Sequence, residues 1–222
     1  MFKSILAISE GGPEAAMSFG LAARIASMFR GTVDAIHFSE SRPGDADIAA
    51  QAMPFLKRQT DDRQKARARE SERAYWELIA PLTGTTFAGG RGVTRDQLVA
   101  MARYADLLLL GRPGADAENI APATVHTALH DCVCPLMIAP PNPDPAPMTS
   151  VVVAWNGSAP AARAAGFALP FLEKARKVTI VVAGAAPDDV GTPHLLRTLD
   201  RHGVAATVET IDPGAVSGRA RG

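Results

Sequence analysis

The sequence predicts an open α/β fold, a doubly wound parallel sheet, on three observations. Four consecutive leucines, Leu107–Leu110, bounded by turn residues, read as a strand buried on both faces, as parallel sheets require. Short apolar runs alternate with helical patterns along the first 140 residues. The leucine strand also runs into Gly111 and Gly114. A helical pattern then opens near Ala123 and Thr124, and a second buried strand follows at Pro135–Ala139. Strand, glycine turn, helix start and strand describe one edge of an anion-binding crevice.

Taken in order, Ser4–Ile8 reads as a first strand ending in Glu10, Gly11 and Gly12. A helix follows, with Ala15, Phe19, Ala22, Ile25 (or Ala26) and Phe29 on one stripe. Thr32–Phe38 is the second strand. A highly charged helix from about Asp61 to Ile79 presents a solvated Arg/Glu/Lys face. Thr85–Ala88 is the third strand, and a helix capped by Thr94 runs to Tyr104. The Leu107–Leu110 strand, a helix near Thr124–His130 and the strand at Pro135–Ala139 complete five strands.

The opening pattern then recurs. Ser150–Trp155 is an apolar strand running into Asn156, Gly157 and Ser158, as Ser4–Ile8 runs into Glu10 and glycine. A helical stripe of Ala161, Ala165, Ala168 and Leu172, a strand at Val178–Ala183, a helix at Pro193–His202 and a strand at Ala205–Ile211 follow. No counterparts of Leu107–Gly114 and Pro135–Ala139 come after them. The expected organisation is a complete domain over 1–140, a proline-rich linker over 141–149, a partial second copy over 150–212 and a disordered tail over 213–222. The first strand of a doubly wound sheet is an interior strand, so the partial copy leaves it an unpaired edge. Either a shortened second half docks on the first domain or a neighbouring subunit, or the chain is a fragment of a longer product.

Composition narrows the function. The 222 residues are 47% hydrophobic, with 23 basic and 23 acidic side chains. Zero formal charge argues against a nucleic-acid surface or an anionic membrane as partner. No apolar run approaches the ~20 residues of a membrane span, and the N-terminus lacks a signal-peptide core. Cys132 and Cys134 are the two cysteines, which gives no disulfide framework. These features describe a soluble cytoplasmic protein.

The strand ending in an acid and glycine, His37-Phe38, Gly111-x-x-Gly114 with a later small residue and Thr124, Cys134-Pro135 with its strand, and the second opening at Trp155–Ser158 together resemble the universal stress protein family in its tandem form. The resemblance implies a five-stranded Rossmann-like sheet of order 3-2-1-4-5, a non-catalytic role in stress tolerance, dimerisation through the last strand and, in one subset, binding of ATP. It places Glu10 near the nucleoside and the backbone of Phe38 against adenine. Gly111 and Gly114 match the first two glycines of the phosphate motif, and Ala123 with Thr124 its final pair. The family pattern is Gly-x2-Gly-x9-Gly-Ser/Thr. Here the gap is one residue shorter, the last glycine is Ala123, Pro122 removes an N–H, and Asn156 stands at the second acidic position.

Each candidate has a plainer role. Gly111 and Gly114 shape a turn, Thr124 caps a helix, Arg112 is a solvated turn arginine beside its role as a phosphate contact, and Glu10 supports the next helix N-terminus. His126 and His130 share a helix face near Asp131, Cys132 and Cys134, but the spacing matches no ordinary zinc pattern. His37 has no nucleophile-elbow serine in its sequence neighbourhood. The expected function is a non-catalytic stress module binding an adenine nucleotide, ATP, in the first domain. The alternatives are a nucleotide-independent module for homodimer or other protein contacts through a sheet edge, and a weak nucleotide hydrolase or metal enzyme.

Overall fold

A computed structural model describes residues 1–39, 54–114, 119–141, 148–184 and 186–212, the side chains of 54–60 and 91 excepted. The chain divides into two compact units, Met1–Pro143 and Asp144–Gly222. The tail expected over 213–222, and most of the linker expected over 141–149, lie outside the described residues.

In the first unit five parallel strands, β1 (Ser4–Ser9), β2 (Thr32–Phe38), β3 (Thr86–Val93), β4 (Leu107–Leu110) and β5 (Leu136–Ile138), stand in the order β3-β2-β1-β4-β5. This is the expected 3-2-1-4-5 arrangement. Four helices connect them: α1 (Pro13–Phe29), α2 (Pro54–Leu78), α3 (Arg95–Ala102) and α4 (Pro122–His130). All four leucines of β4 are buried, as a strand covered on both faces demands. The stripe read in α1 is also the face it buries, with Ala15, Phe19, Ala22, Ile25, Ala26 and Phe29 each at 2% exposure or less. On the other face Leu6, Ile8, Ile36, Phe38, Leu98, Leu108, Leu110, Val125 and Ala128 form one core.

Two boundaries differ from expectation by several residues. β3 continues to Val93 because Gly89, Gly90 and Gly92 form a bulge rather than an end: Ala88 pairs with Ile36, and Val93 with Phe38. α2 begins at Pro54, a residue suited to the first turn. Its Arg/Glu/Lys face is exposed as expected, while Ala68, Ser71, Ala74 and Tyr75 turn inward.

Register and one close approach position the site. β1 and β2 pair from Ser4 with Thr32 to Ser9 with His37, which sets Ser9 and His37 level at the carboxyl end of the sheet. Just beyond, Gly11 adopts a φ of 79° against α2. A Cβ there would lie 2.1 Å from the Arg67 carbonyl oxygen.

The second unit repeats the first three strands. β6 (Ser150–Trp155), β7 (Lys177–Ala183) and β8 (Ala206–Ile211) form a parallel sheet of order β6-β7-β8, with α5 (Ala159–Leu172) and α6 (Thr192–Arg201) in the connections. A short 3-10 helix at Pro187–Val190 precedes α6, where no element was expected. Val153, Val178, Ile180, Val182, Leu172, Leu195 and Leu199 make its core. β6 pairs with β7 alone among the described residues, and Val152 is 64% exposed, as expected of an incomplete copy.

Gly11 and Gly90 share a φ of 79°, but nothing lies within 4 Å of a Cβ at Gly90. Gly90→Ala should therefore lose only the left-handed backbone penalty, about 1–2 kcal/mol. Gly11→Ala should lose on the order of 3 kcal/mol more, because backbone atoms cannot swing aside. Urea unfolding of both variants checks this; equal losses would contradict the close approach.

Candidate functional site

The carboxyl ends of β1 and β2, the start of α4 and the inner face of α2 enclose a cleft of about 240 Å³. Its walls are Glu10, His37, Phe38, Ser39, Gln64, Arg67 and Ala121. This is the switch point of the sheet, where β1 has neighbours reached by chains running in opposite directions.

Helix α4 begins poorly by its own residues. Ala121 at the N-cap has no side-chain acceptor, and Pro122 has no N–H to offer. Glu10 supplies the missing anion from 111 residues away: its Oε2 accepts the Ala121 N–H at 3.1 Å, and its Oε1 accepts the hydroxyl proton of Thr124. The helix dipole favours a negative charge at this point. Arg67 completes the arrangement, donating from Nε to the Glu10 carbonyl at 2.7 Å and approaching Oε2 with Nη2 at 3.7 Å.

The residues expected to cradle phosphate are largely engaged with one another. The Gly114 N–H donates to the Ile120 carbonyl at 3.1 Å, and the Ile120 N–H to the Arg112 carbonyl at 3.0 Å. Gly111 is buried, and a Cβ there would sit 3.0 Å from Glu14 Cβ, so its lack of a side chain makes room for α1. At Gly114 a Cβ would lie 2.5 Å from Asn119 Nδ2. Thr124 is fully buried beneath the Glu10 carboxylate, whereas Ala123 and Arg112 are exposed. The Phe38 side chain belongs to the core while the residue lines the cleft. Among the described residues, the Glu10 carboxylate takes the two donors at the start of α4 that a phosphate oxygen would use.

Behind the cleft runs a buried polar chain that sequence reasoning missed. Glu14 Oε1 accepts from the Glu10 N–H at 2.9 Å and from Ser9 Oγ at 3.0 Å. Ser9 Oγ also meets Ser71 Oγ at 2.9 Å, and Ser71 Oγ lies 3.0 Å from His37 Nδ1. Glu14 Oε2 has no hydrogen-bond partner among the described residues. Burial pushes the Glu14 carboxyl up to about 7, although hydrogen bonds from Ser9 and Glu10 favour its ionised form. Burial first, and the Arg67 charge second, hold the His37 imidazole down at about 4. The inward stripe Ala68, Ser71, Ala74 and Tyr75 was the available signal, a small and apolar line at helical spacing within a charged helix.

The histidine and cysteine cluster near α4 does not assemble. His126 and His130 stack with ring centroids 4.3 Å apart, and Arg95 pairs with Asp131 at 2.7 Å. Burial raises the Cys132 thiol to about 11 and raises Cys134 as well, so neither is a thiolate. Among the described residues no three metal-ligating side chains come together, and no helix is long and apolar enough to cross a membrane.

Fold and cleft define a Rossmann-like α/β protein with its candidate site at the switch point. The universal stress protein family model matches residues 1–140, and the chain belongs to that family; it is a stress-response module of that type. Among solved structures, a universal stress protein from Archaeoglobus fulgidus is similar over 94% of this chain and 78% of its own, at 14% identity and a TM-score of 0.59, a likeness of fold. Universal stress protein UspA from Lactobacillus plantarum covers 62% of this chain and 97% of its own, at 16% identity and a TM-score of 0.43. A universal stress protein in complex with cAMP covers 64% and 98%, at 18% identity and a TM-score of 0.37. Among curated proteins none matches.

The two buried titrations oppose each other. The raised carboxyl of Glu14 contributes stability that is complete below its ordinary value of 4.5 and is lost as pH rises to about 7. The depressed His37 contributes stability that is complete above 6.5 and is lost as pH falls to about 4. Glu14→Gln should remove the first slope and leave the second. Its stability relative to the unsubstituted chain should therefore climb from pH 4.5 to pH 7, by a few kcal/mol on the scale of ~1.4 kcal/mol per pKa unit. Urea unfolding at both pH values reads this; a difference that does not change with pH would contradict a buried, raised carboxyl.

Proposed function

We propose that the first unit is a non-catalytic stress-response module that holds the nucleoside end of an adenine nucleotide weakly, in the cleft bounded by Glu10, His37, Phe38 and Arg67. The observation that supports this reading is the cleft itself, about 240 Å³ at the carboxyl ends of β1 and β2. The Phe38 backbone and the half-exposed Arg67 give it edge and cation. With Gly111 buried, Gly114 and Thr124 hydrogen-bonded within the protein and Arg112 and Ala123 exposed, the phosphates of ATP would lie outside the α4 start and add little affinity.

The non-catalytic part rests on Ser71 and His37. They are within hydrogen-bond distance, but Ser71 is fully buried and His37 is 3% exposed, so the hydroxyl reaches no substrate. A second reading is favoured by a separate observation: Leu129, Val133 and Ile138 are exposed apolar residues around edge strand β5. That edge suits a homodimer or another protein partner.

Calorimetric titration distinguishes the two. The first reading expects adenosine and ATP to bind with dissociation constants within about tenfold of each other. ATP binding on the order of a hundredfold tighter than adenosine would contradict it. No heat from either, with Ile138→Lys converting a dimer to a monomer in sedimentation, would favour the second.

A further inference from the structure

We infer that Glu10 is a built-in occupant of the anion position at the start of α4, and that its carboxylate decides the ligand class by excluding polyphosphate. The inference concerns the phosphate end of the site proposed above and rests on that assignment of the cleft.

Four observations carry it. The Glu10 carboxylate already takes the Ala121 N–H and the Thr124 hydroxyl, the donors a phosphate oxygen would need. Its negative charge faces the Arg67 guanidinium at 3.7 Å, so the one cation lining the cleft among the described residues is already engaged. Glu10 is held there from both sides: its N–H donates to Glu14 Oε1 at 2.9 Å, and its carbonyl accepts from Arg67 Nε at 2.7 Å. The close packing of Gly11 on the α2 backbone fixes Arg67 over this end of β1. A polyphosphate entering here would have to displace a carboxylate from two donors and then sit beside its charge. An uncharged nucleoside meets neither obstacle.

The same geometry says what removal of that charge exposes. With a neutral side chain at position 10, the Ala121 amide, the Thr124 hydroxyl and the Arg67 guanidinium all face one point at a helix N-terminus, a ready anion site. The reach of Glu10 matters here. Its side chain spans from the end of β1 to the first residues of α4.

Titration of the full chain with inorganic tripolyphosphate tests this, and adenosine is titrated separately. Glu10→Gln preserves shape without charge and Glu10→Ala removes the side chain, so Glu10→Gln carries the test where Glu10→Ala fails to fold. Both folded variants should bind tripolyphosphate at least about tenfold tighter than the unsubstituted chain. The gain should disappear when Thr124→Val is added, which places the anion at α4. No gain in either variant, or a gain that survives Thr124→Val, would overturn the inference. A gain in tripolyphosphate binding without adenosine binding would sink the nucleoside reading alone. Adenosine binding without the gain would sink this one alone.

Discussion

One carboxylate ties the first unit together at its functional end. The start of α4 has no capping side chain of its own, and an uncapped helix N-terminus leaves backbone donors and a positive dipole end to be satisfied. Glu10 answers both from the far end of β1. Because β1 and α4 are brought together by the β1–β4 pairing rather than by local sequence, this cap exists only in the folded sheet. It joins strand end, helix start and the Arg67 side of α2 into one arrangement, and the shape of the cleft follows from it.

The polar interior behind Glu10 has a consistent electrostatic logic. Four side chains, Glu14, Ser9, Ser71 and His37, satisfy most of one another's hydrogen-bonding capacity in a space with little water. Burial acts on the two ionisable ends in opposite directions, since it disfavours charge on each: the acid is raised and the base lowered. Both groups therefore tend to neutrality, which leaves Glu10 and Arg67 as the charges that define the cleft. Such a network fixes position more than it supplies chemistry.

Periodicity made the sheet legible. The Leu107–Leu110 run, the α1 stripe and the repeated strand-acid-glycine opening specify strands, a buried helix face and a partial second copy without tertiary information. The β3 bulge was not legible, because glycines that let a strand bulge look the same as glycines that end it. The site was legible only in its location. Residue types at Glu10, Thr124, Gly111 and Gly114 are those of a ligand loop, but whether an acid at the end of β1 faces a ligand or caps α4 depends on a contact across 111 residues. Arg67 and Ser71 were hidden in a charged helix whose average composition conceals one inward line. In the second unit Asn156 takes the place of Glu10 and turns locally, accepting the Ser158 N–H at 3.1 Å, while Ser158 caps α5. With no described counterpart of α4, nothing calls for a long acid there.

The bond between Glu10 and Thr124 is what the arrangement at the end of β1 depends on most, and a double-mutant cycle measures it directly. Unfolding free energies of the unsubstituted chain, Glu10→Ala, Thr124→Val and the double variant give the coupling between the two side chains. A charge-assisted bond at a buried helix start should couple them by about 1.5–3 kcal/mol. A coupling indistinguishable from zero would mean that the carboxylate does not sit on α4.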